Sequence, residues 1–217
     1  MMEMDKSRVS SSGCEIIGIA GNIGAGKSVV SRILRCNGFT VYDCDREASL
    51  LMVMDLSLRR KLSEILGEEC YLSDGRLNKA YVSEKIFSET GYRERVNGVV
   101  HEAVREDFLR IAALTSGKVF VESAIMTTSG LDKLCDRIWI VDAPEDVRLR
   151  RVMSRNGMSE GEVRNRMESQ QGELSLLPVD KVEIVRNDDV SGVLGRVLGL
   201  VWPEMESEKF EITMRPY

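Results

Sequence analysis

A glycine-rich segment near the start of the chain has the residue types and spacing that bind a polyphosphate. Residues 21–28 read Gly-Asn-Ile-Gly-Ala-Gly-Lys-Ser, which fits the pattern G-x-x-x-x-G-K-[ST]. Glycines let the backbone approach phosphate oxygens, Lys27 supplies a positive charge, and the Ser28 hydroxyl can ligate Mg²⁺. The apolar run Glu15–Ala20 predicts a strand before this loop, and Val29–Cys36 predicts a helix after it. The residues that we expect to hold the phosphates are Gly21, Ile23, Gly24, Ala25, Gly26, Lys27 and Ser28.

Two carboxylates, Asp43 and Asp45, follow the second predicted strand, Phe39–Asp43. The carboxyl ends of parallel strands are where open α/β sheets bind ligands. One of the two aspartates could accept the proton of a hydroxyl that attacks a γ-phosphate. The alternative is that Asp43 merely ends the strand and Asp45 caps the next helix.

A cluster of arginines later in the chain supplies the cations that an anionic substrate needs. Arg148, Arg151 and Arg155 recur at spacings of three and four, so they share one face of a helix that opens at Pro144. Arg164 and Arg166 lie on the helix that follows. Together these residues are typical of a lid that closes over ATP and excludes water. Alternatively, they form a solvated face that pairs with acidic residues, of which Glu145 and Asp146 are the nearest.

Two further residues could serve the same site. Glu122 ends the third predicted strand, Lys118–Glu122, in the position of an acid that supports a metal ion in many phosphate-binding enzymes. His101 is the only histidine of the chain and could contact a substrate phosphate. It could equally occupy the polar face of its helix.

Short β-branched runs alternate with helical patterns along the chain, which predicts an α/β fold with five parallel strands. The remaining two predicted strands are Arg137–Asp142 and Lys181–Val185. About 75 residues without a strand pattern separate the second and third strands, too many for a simple crossover. We expect a helical insertion there, with helices over Asn78–Phe87 and Tyr92–Leu114. A second helical insertion follows the fourth strand, and there Ser159 and Glu162 have the spacing of a capping box.

The composition restricts the class of protein. At 217 residues and 43% hydrophobic, the chain can bury the core of a single domain, and its net charge of −5 argues against general binding of nucleic acid or anionic membranes. Five scattered cysteines, without C-x-x-C spacing, favour reduced thiols and a cytoplasmic protein. No apolar stretch is long enough to span a bilayer, and the polar residues 1–14 are expected to be a flexible tail.

Over residues 15–195 the chain resembles the dephospho-coenzyme A kinase family. The resemblance is carried by a series of blocks in a fixed order, whereas the glycine-rich loop alone would be generic. These blocks are Ile19–Ser28, Val41–Ala48, Leu77–Phe87, Val96–His101, Leu131–Arg137, Val141–Glu145, Arg151, Arg155–Ser159 and Gln170.

The resemblance implies transfer of the ATP γ-phosphate to the ribose 3′-hydroxyl of dephospho-coenzyme A, with Mg²⁺. It implies Asp45 as the base, Lys27 and Ser28 on the phosphates and metal, Arg151 and Arg155 in the lid, and Asn187 near the adenine. Asp43 and His101 would lie on the substrate side. The implied kinase domain spans residues 15–217, with a core at about 15–55, 115–143 and 178–200, a substrate lobe at about 56–114 and a lid at about 144–177.

The chain departs from the family pattern after the third strand. The usual block P-L-L-F-E is replaced by residues 124–128, Ala-Ile-Met-Thr-Thr, so Thr128 stands where the family has a glutamate, and Glu102 replaces the proline after His101. Either the acceptor is bound less well, or Glu122 or another nearby acid fills the role. This altered block suggests one rival function, a nucleotide-binding regulatory protein with weak transfer activity. The other rival is another small-molecule P-loop kinase, which would share the loop and the lid.

Overall fold

A computed structural model describes residues 13–88, 91–170, 172–190 and 192–203, and its centre is a five-stranded parallel sheet. The strands lie in the order β2-β3-β1-β4-β5, so the strand that precedes the glycine-rich loop is in the middle. The predicted α/β class and all five predicted strands are confirmed, with ends shifted by one residue in β2 and β5. The strands are β1 (Glu15–Ala20), β2 (Thr40–Asp43), β3 (Lys118–Glu122), β4 (Arg137–Asp142) and β5 (Val182–Arg186).

Both faces of the sheet are covered by helices. Alternate residues of a strand point to opposite sides, so the apolar strands contribute to two separate cores. On one face, Ile17 and Ile19 of β1 pack with Phe120 and Trp139 in a core closed by helices α1 (Lys27–Cys36) and α8 (Val193–Val201). On the other face, Ile16 packs with Val119, Val121 and Phe108. Cys14, the last residue of the expected tail, is buried in this second core, since it directly precedes β1. Residues 1–12 lie outside the described ranges.

The long insertion between β2 and β3 is helical, as expected. Its four helices contribute to a hydrophobic cluster of their own, which includes Leu58, Leu62 and Val96. The insertion contains α2 (Cys44–Met54), α3 (Leu56–Leu66), α4 (Lys79–Ser88) and α5 (Tyr92–Ala113). Within the described ranges, no helix combines the length and the apolar character needed to cross a membrane.

The second insertion, between β4 and β5, carries the two helices of the expected lid. Helix α6 (Glu145–Asn156) begins directly after Pro144 and ends at Gly157, whose φ of 64° is the left-handed conformation of a helix end. Helix α7 (Glu160–Ser169) begins with the predicted capping box, in which Ser159 and Glu162 bind each other's backbone N–H groups. These local signals explain why the two helices begin directly after Pro144 and Ser159, as the sequence predicts.

Candidate active site

A cleft of about 430 Å³ opens where β1 and β3 end, and most of the predicted site residues line it. Its size is that of a small-molecule site. The residues that line it come from the glycine-rich loop, from the segments at the ends of β2 and β3, from helix α6, and from the residue that directly follows α7. The lining residues are Ile23, Gly24, Gly26, Lys27, Ser28, Val29, Asp45, Glu122, Ala124, Arg151, Val152, Arg155 and Gln170.

Other elements closely approach the glycine-rich loop, residues 21–28, at Gly24 and Gly26 among others. A Cβ atom on Gly24 would lie 2.6 Å from the carbonyl oxygen of Arg148 in α6, and one on Gly26 would lie 2.0 Å from Asn187 Nδ2. Both glycines also have positive φ, 80° and 98°. Gly26 then caps α1, so the first residues of that helix, Lys27 and Ser28, face the cleft with their backbone N–H end.

Lys27 is close to charged side chains of both signs. Burial lowers the pKa of its ammonium group, the nearby Glu122 and Asp45 raise it in opposition, and Arg155 lowers it further. Its Nζ donates a hydrogen bond of 2.6 Å to the carbonyl oxygen of Gly21. A bound polyphosphate would bring further negative charge to this lysine and so favour its charged form.

The structure distinguishes the two aspartates after β2. Asp43 is the helix cap: its carboxylate accepts a hydrogen bond of 3.1 Å from the backbone N–H of Arg46. Asp45 lies in the first turn of α2 and lines the cleft. The alternative in which Asp45 caps the helix is therefore wrong, because the helix begins one residue after Asp43 and leaves the Asp45 side chain beyond the cap position.

Glu122 occupies the expected place at the end of β3, and its carboxylate accepts a hydrogen bond of 2.6 Å from the buried Ser31 hydroxyl. Burial raises the pKa of Glu122, the bond from Ser31 opposes this, and Asp43 raises it again. No group of three or more acidic, cysteine or histidine side chains in the described ranges could hold a metal ion by itself. Mg²⁺ needs only one or two carboxylates when phosphates and water supply its other ligands, so the Ser28 hydroxyl and a carboxylate on one cleft fit it.

The arginines divide into two groups. Arg151 and Arg155 line the cleft, in agreement with the lid alternative. Arg151 is anchored: its guanidinium donates to the carbonyl oxygens of Gly24 and Asn187, at 3.3 and 2.9 Å. Arg164 instead forms exposed ion pairs with Glu145 and Glu160, at 3.0 and 2.8 Å, as the solvated-face alternative expects.

Two further predicted site residues, Asn187 and His101, are not among the residues that line the cleft. Asn187 is 8% exposed and its Nδ2 donates a hydrogen bond of 2.8 Å to the carbonyl oxygen of Ala25, so its observed contact is to the glycine-rich loop. Its proximity to an adenine stays a prediction. His101 does not line the cleft; its pKa is lowered by burial and by Arg105, while Glu173 opposes the shift. Contact between His101 and a substrate also stays a prediction.

Three residues to which the sequence analysis gave no role also hold this site together. Gln170 Oε1 accepts a hydrogen bond of 2.8 Å from the backbone N–H of Ile23. Asp189 pairs with Arg151, and it is the one non-glycine residue of the described ranges with a positive φ, 66°. Glu173 binds the loop after β3. Only Gln170 carried a sequence signal, as part of the family resemblance, since Asp189 and Glu173 belong to none of its blocks.

A central parallel sheet, a phosphate-binding loop before α1 and arginines on the same cleft define a P-loop kinase. The family model for dephospho-CoA kinase matches residues 15–190. A dephospho-CoA kinase of Porphyromonas gingivalis is 42% identical over 161 residues, which cover 74% of this chain and 79% of the relative. A dephospho-CoA kinase of Methylococcus capsulatus is 30% identical over 183 residues, which cover 84% and 92%. The chain belongs to the dephospho-CoA kinase family and is thus an ATP-dependent kinase.

Solved structures agree with this assignment at the level of the fold. A crystal structure of a protein from Thermus thermophilus superimposes with a TM-score of 0.72 at 30% identity and covers 88% of this chain and 97% of that one. The dephospho-CoA kinase of Campylobacter jejuni superimposes with a TM-score of 0.56 over 89% of this chain and 97% of that one. At 16% identity, this second likeness supports the fold alone.

Proposed function

We propose that this chain transfers the γ-phosphoryl group of ATP to the 3′-hydroxyl of dephospho-coenzyme A, with Asp45 as the proton acceptor. The observation that carries the assignment of roles is that Asp45, Lys27 and Arg155 line one cleft. A kinase needs these three functions together: a carboxylate for the hydroxyl proton, a cation on the outer phosphates and a cation that arrives with the lid.

The donor side of the reaction uses the glycine-rich loop and the start of α1. Backbone N–H groups of the loop and the Lys27 ammonium hold the β- and γ-phosphates of ATP. The Ser28 hydroxyl and Glu122 are the side chains that would hold Mg²⁺, which would neutralise charge on the phosphate oxygens. Arg151, held by the loop carbonyls and by Asp189, keeps one guanidinium beside the phosphates.

The acceptor side of the reaction requires one proton transfer. The Asp45 carboxylate accepts the proton of the 3′-hydroxyl as its oxygen bonds to the γ-phosphorus, and the bond from that phosphorus to the β–γ bridging oxygen breaks to release ADP. Arg155 is exposed, and its Nε hydrogen bond of 2.9 Å goes only to the neighbouring Asn156. A side chain with so local a contact can turn to the transferred phosphoryl group when the lid closes.

We also propose a cytoplasmic location for this protein, because free thiols favour a reducing compartment. All five are free thiols, and four of them are buried. The small-molecule acceptor and ATP are the partners that this proposal requires.

The test is a coupled assay of ADP release with dephospho-coenzyme A, AMP and other hydroxyl compounds as acceptors, with Lys27→Ala as the blank. We expect ADP formation that depends on dephospho-coenzyme A and on Mg²⁺. Preference for AMP would instead support another small-molecule kinase. ATP binding without stimulation by any acceptor would support a regulatory protein.

A further inference from the structure

The loop that leaves β3, residues 123–130, is bound through two adjacent residues by Glu173, from a distant part of the chain. Glu173 Oε1 accepts hydrogen bonds from the backbone N–H groups of Thr127 and Thr128, at 2.6 and 3.0 Å. Its Oε2 accepts a third from the Thr128 hydroxyl, at 2.7 Å. The Glu173 carbonyl oxygen accepts a fourth from the Thr127 hydroxyl, at 3.0 Å. Glu173 therefore accepts hydrogen bonds from both the backbone N–H and the hydroxyl of each of these two adjacent threonines.

Glu173 also lies where the predicted lid returns to the sheet. Helix α7 ends at Ser169, and the next residue, Gln170, binds the backbone N–H of Ile23 in the glycine-rich loop. Glu173 is three residues further along and binds the loop after β3. The end of the lid is thus attached to both walls of the cleft, through Gln170 on the donor side and through Glu173 on the other.

The second wall, residues 123–130, lies beside helix α5, which carries His101. Ala124 of the loop lines the cleft, and Arg105 of α5 donates a hydrogen bond of 2.6 Å to the carbonyl oxygen of Ser129 in the same loop. His101, one turn before Arg105, is close enough to feel the charges of both Arg105 and Glu173. The loop therefore lies between the catalytic cleft and the helix on which the acceptor side was predicted.

We infer that Glu173 is a positioning residue for the acceptor: it supplies from the end of the lid the carboxylate that holds Thr127 and Thr128, and so fixes the acceptor wall of the cleft. This inference rests on the proposed function, since it assigns that wall to dephospho-coenzyme A. It favours the compensation alternative for Thr128, with Glu173 rather than Glu122 as the acid. The Glu173 carboxylate already accepts three hydrogen bonds, and its negative charge would repel a second carboxylate placed beside it.

The experiment compares Glu173→Ala, Glu173→Gln and Thr128→Glu, alone and combined, with Asp180→Asn as the control. Asp180 is an exposed acid in the same connection between α7 and β5. We expect Glu173→Ala to raise the KM for dephospho-coenzyme A roughly tenfold, with the KM for ATP changed less than about twofold. Glu173→Gln should recover most of the loss, because its amide can still accept from both backbone N–H groups.

Combining the variants separates positioning from general damage. Thr128→Glu alone should raise the acceptor KM, because it brings a second carboxylate to Glu173. In the Glu173→Ala background the same substitution should lower it, and such a change of sign is a coupling between the two positions. An acceptor KM that stays within twofold in Glu173→Ala, or equal changes in the KM of both substrates, would overturn the inference.

A second measurement does not depend on turnover. Amide hydrogen exchange at Thr127 and Thr128 should be faster in Glu173→Ala than in the wild type, and unchanged in Asp180→Asn. Unchanged exchange would refute the contact on which the inference stands. A wild type without acceptor-dependent ADP release refutes the proposed function, whereas normal wild-type turnover with no effect of Glu173 refutes only the inference.

Discussion

Asp43 and Glu122 are register partners at the ends of β2 and β3, so two carboxylates lie side by side at the edge of the sheet that forms the cleft. The neighbouring charge of Asp43 adds to burial in raising the pKa of Glu122, while Ser31, Lys27 and Arg35 lower it. One of the pair is committed to capping α2 and the other faces the cleft. Because of burial and of this pairing with Asp43, the charged form of Glu122 is electrostatically unfavourable in the absence of ligands.

Glu122 should therefore make the stability of the protein depend on pH. A carboxyl whose pKa is raised on folding binds more protons in the native state, so the free energy of unfolding falls as pH rises from about 4 through the raised pKa. Glu122→Gln should remove this slope. We expect the melting temperature of the variant, relative to that of the wild type, to increase between pH 4 and pH 7. A difference that is constant over this range would contradict the prediction.

Asp45→Asn should lower kcat roughly 100-fold or more with little change in ATP affinity, because an amide keeps the shape of the side chain but cannot accept the proton. Asp43→Asn is the matched control, since asparagine caps a helix as well as aspartate does. Steady-state kinetics of both variants check the assignment. If Asp43→Asn has the larger effect on kcat, the base has been assigned to the wrong aspartate.

Lys27→Ala should abolish transfer and weaken ATP binding. The lost contact is charge-assisted and worth about 1.5–3 kcal/mol, and the first turn of α1 contains no second basic residue. Calorimetric titration with ATP and the ADP-release assay measure the two effects separately. Turnover equal to that of the wild type would end the assignment of residues 21–28 as the site of the phosphates.

Arg155→Ala should lower kcat roughly 10- to 100-fold and increase ATP hydrolysis relative to transfer, since the closed state would be less populated and wetter. Arg150→Ala is the control on the same helix: Arg150 lies 4.0 Å from Asp146 in an exposed pair. Arg155→Lys should rescue only part of the activity, because an ammonium group cannot make a bidentate contact. Normal kcat and normal coupling in Arg155→Ala would place this residue on a solvated face.

Local patterns could be predicted from the sequence because their physics acts over a few residues. The spacing of residues 21–28, the strand Glu15–Ala20 and the capping box of Ser159 and Glu162 each depend on neighbours within one turn or one strand. The structure confirms the strand and the capping box as predicted. The family could likewise be identified from the sequence, because its blocks occur in a fixed order that does not require coordinates.

The tertiary structure decided which side chains meet. Asn187 binds Ala25 across 162 positions of the chain, and Glu173 binds Thr127 across 46. It also decided that Asp43 rather than Asp45 caps α2, which depends on the residue at which the helix begins. Nothing in the periodicity of a sequence encodes such contacts, because they arise only when the sheet and its insertions pack and bring distant donors and acceptors within hydrogen-bonding distance.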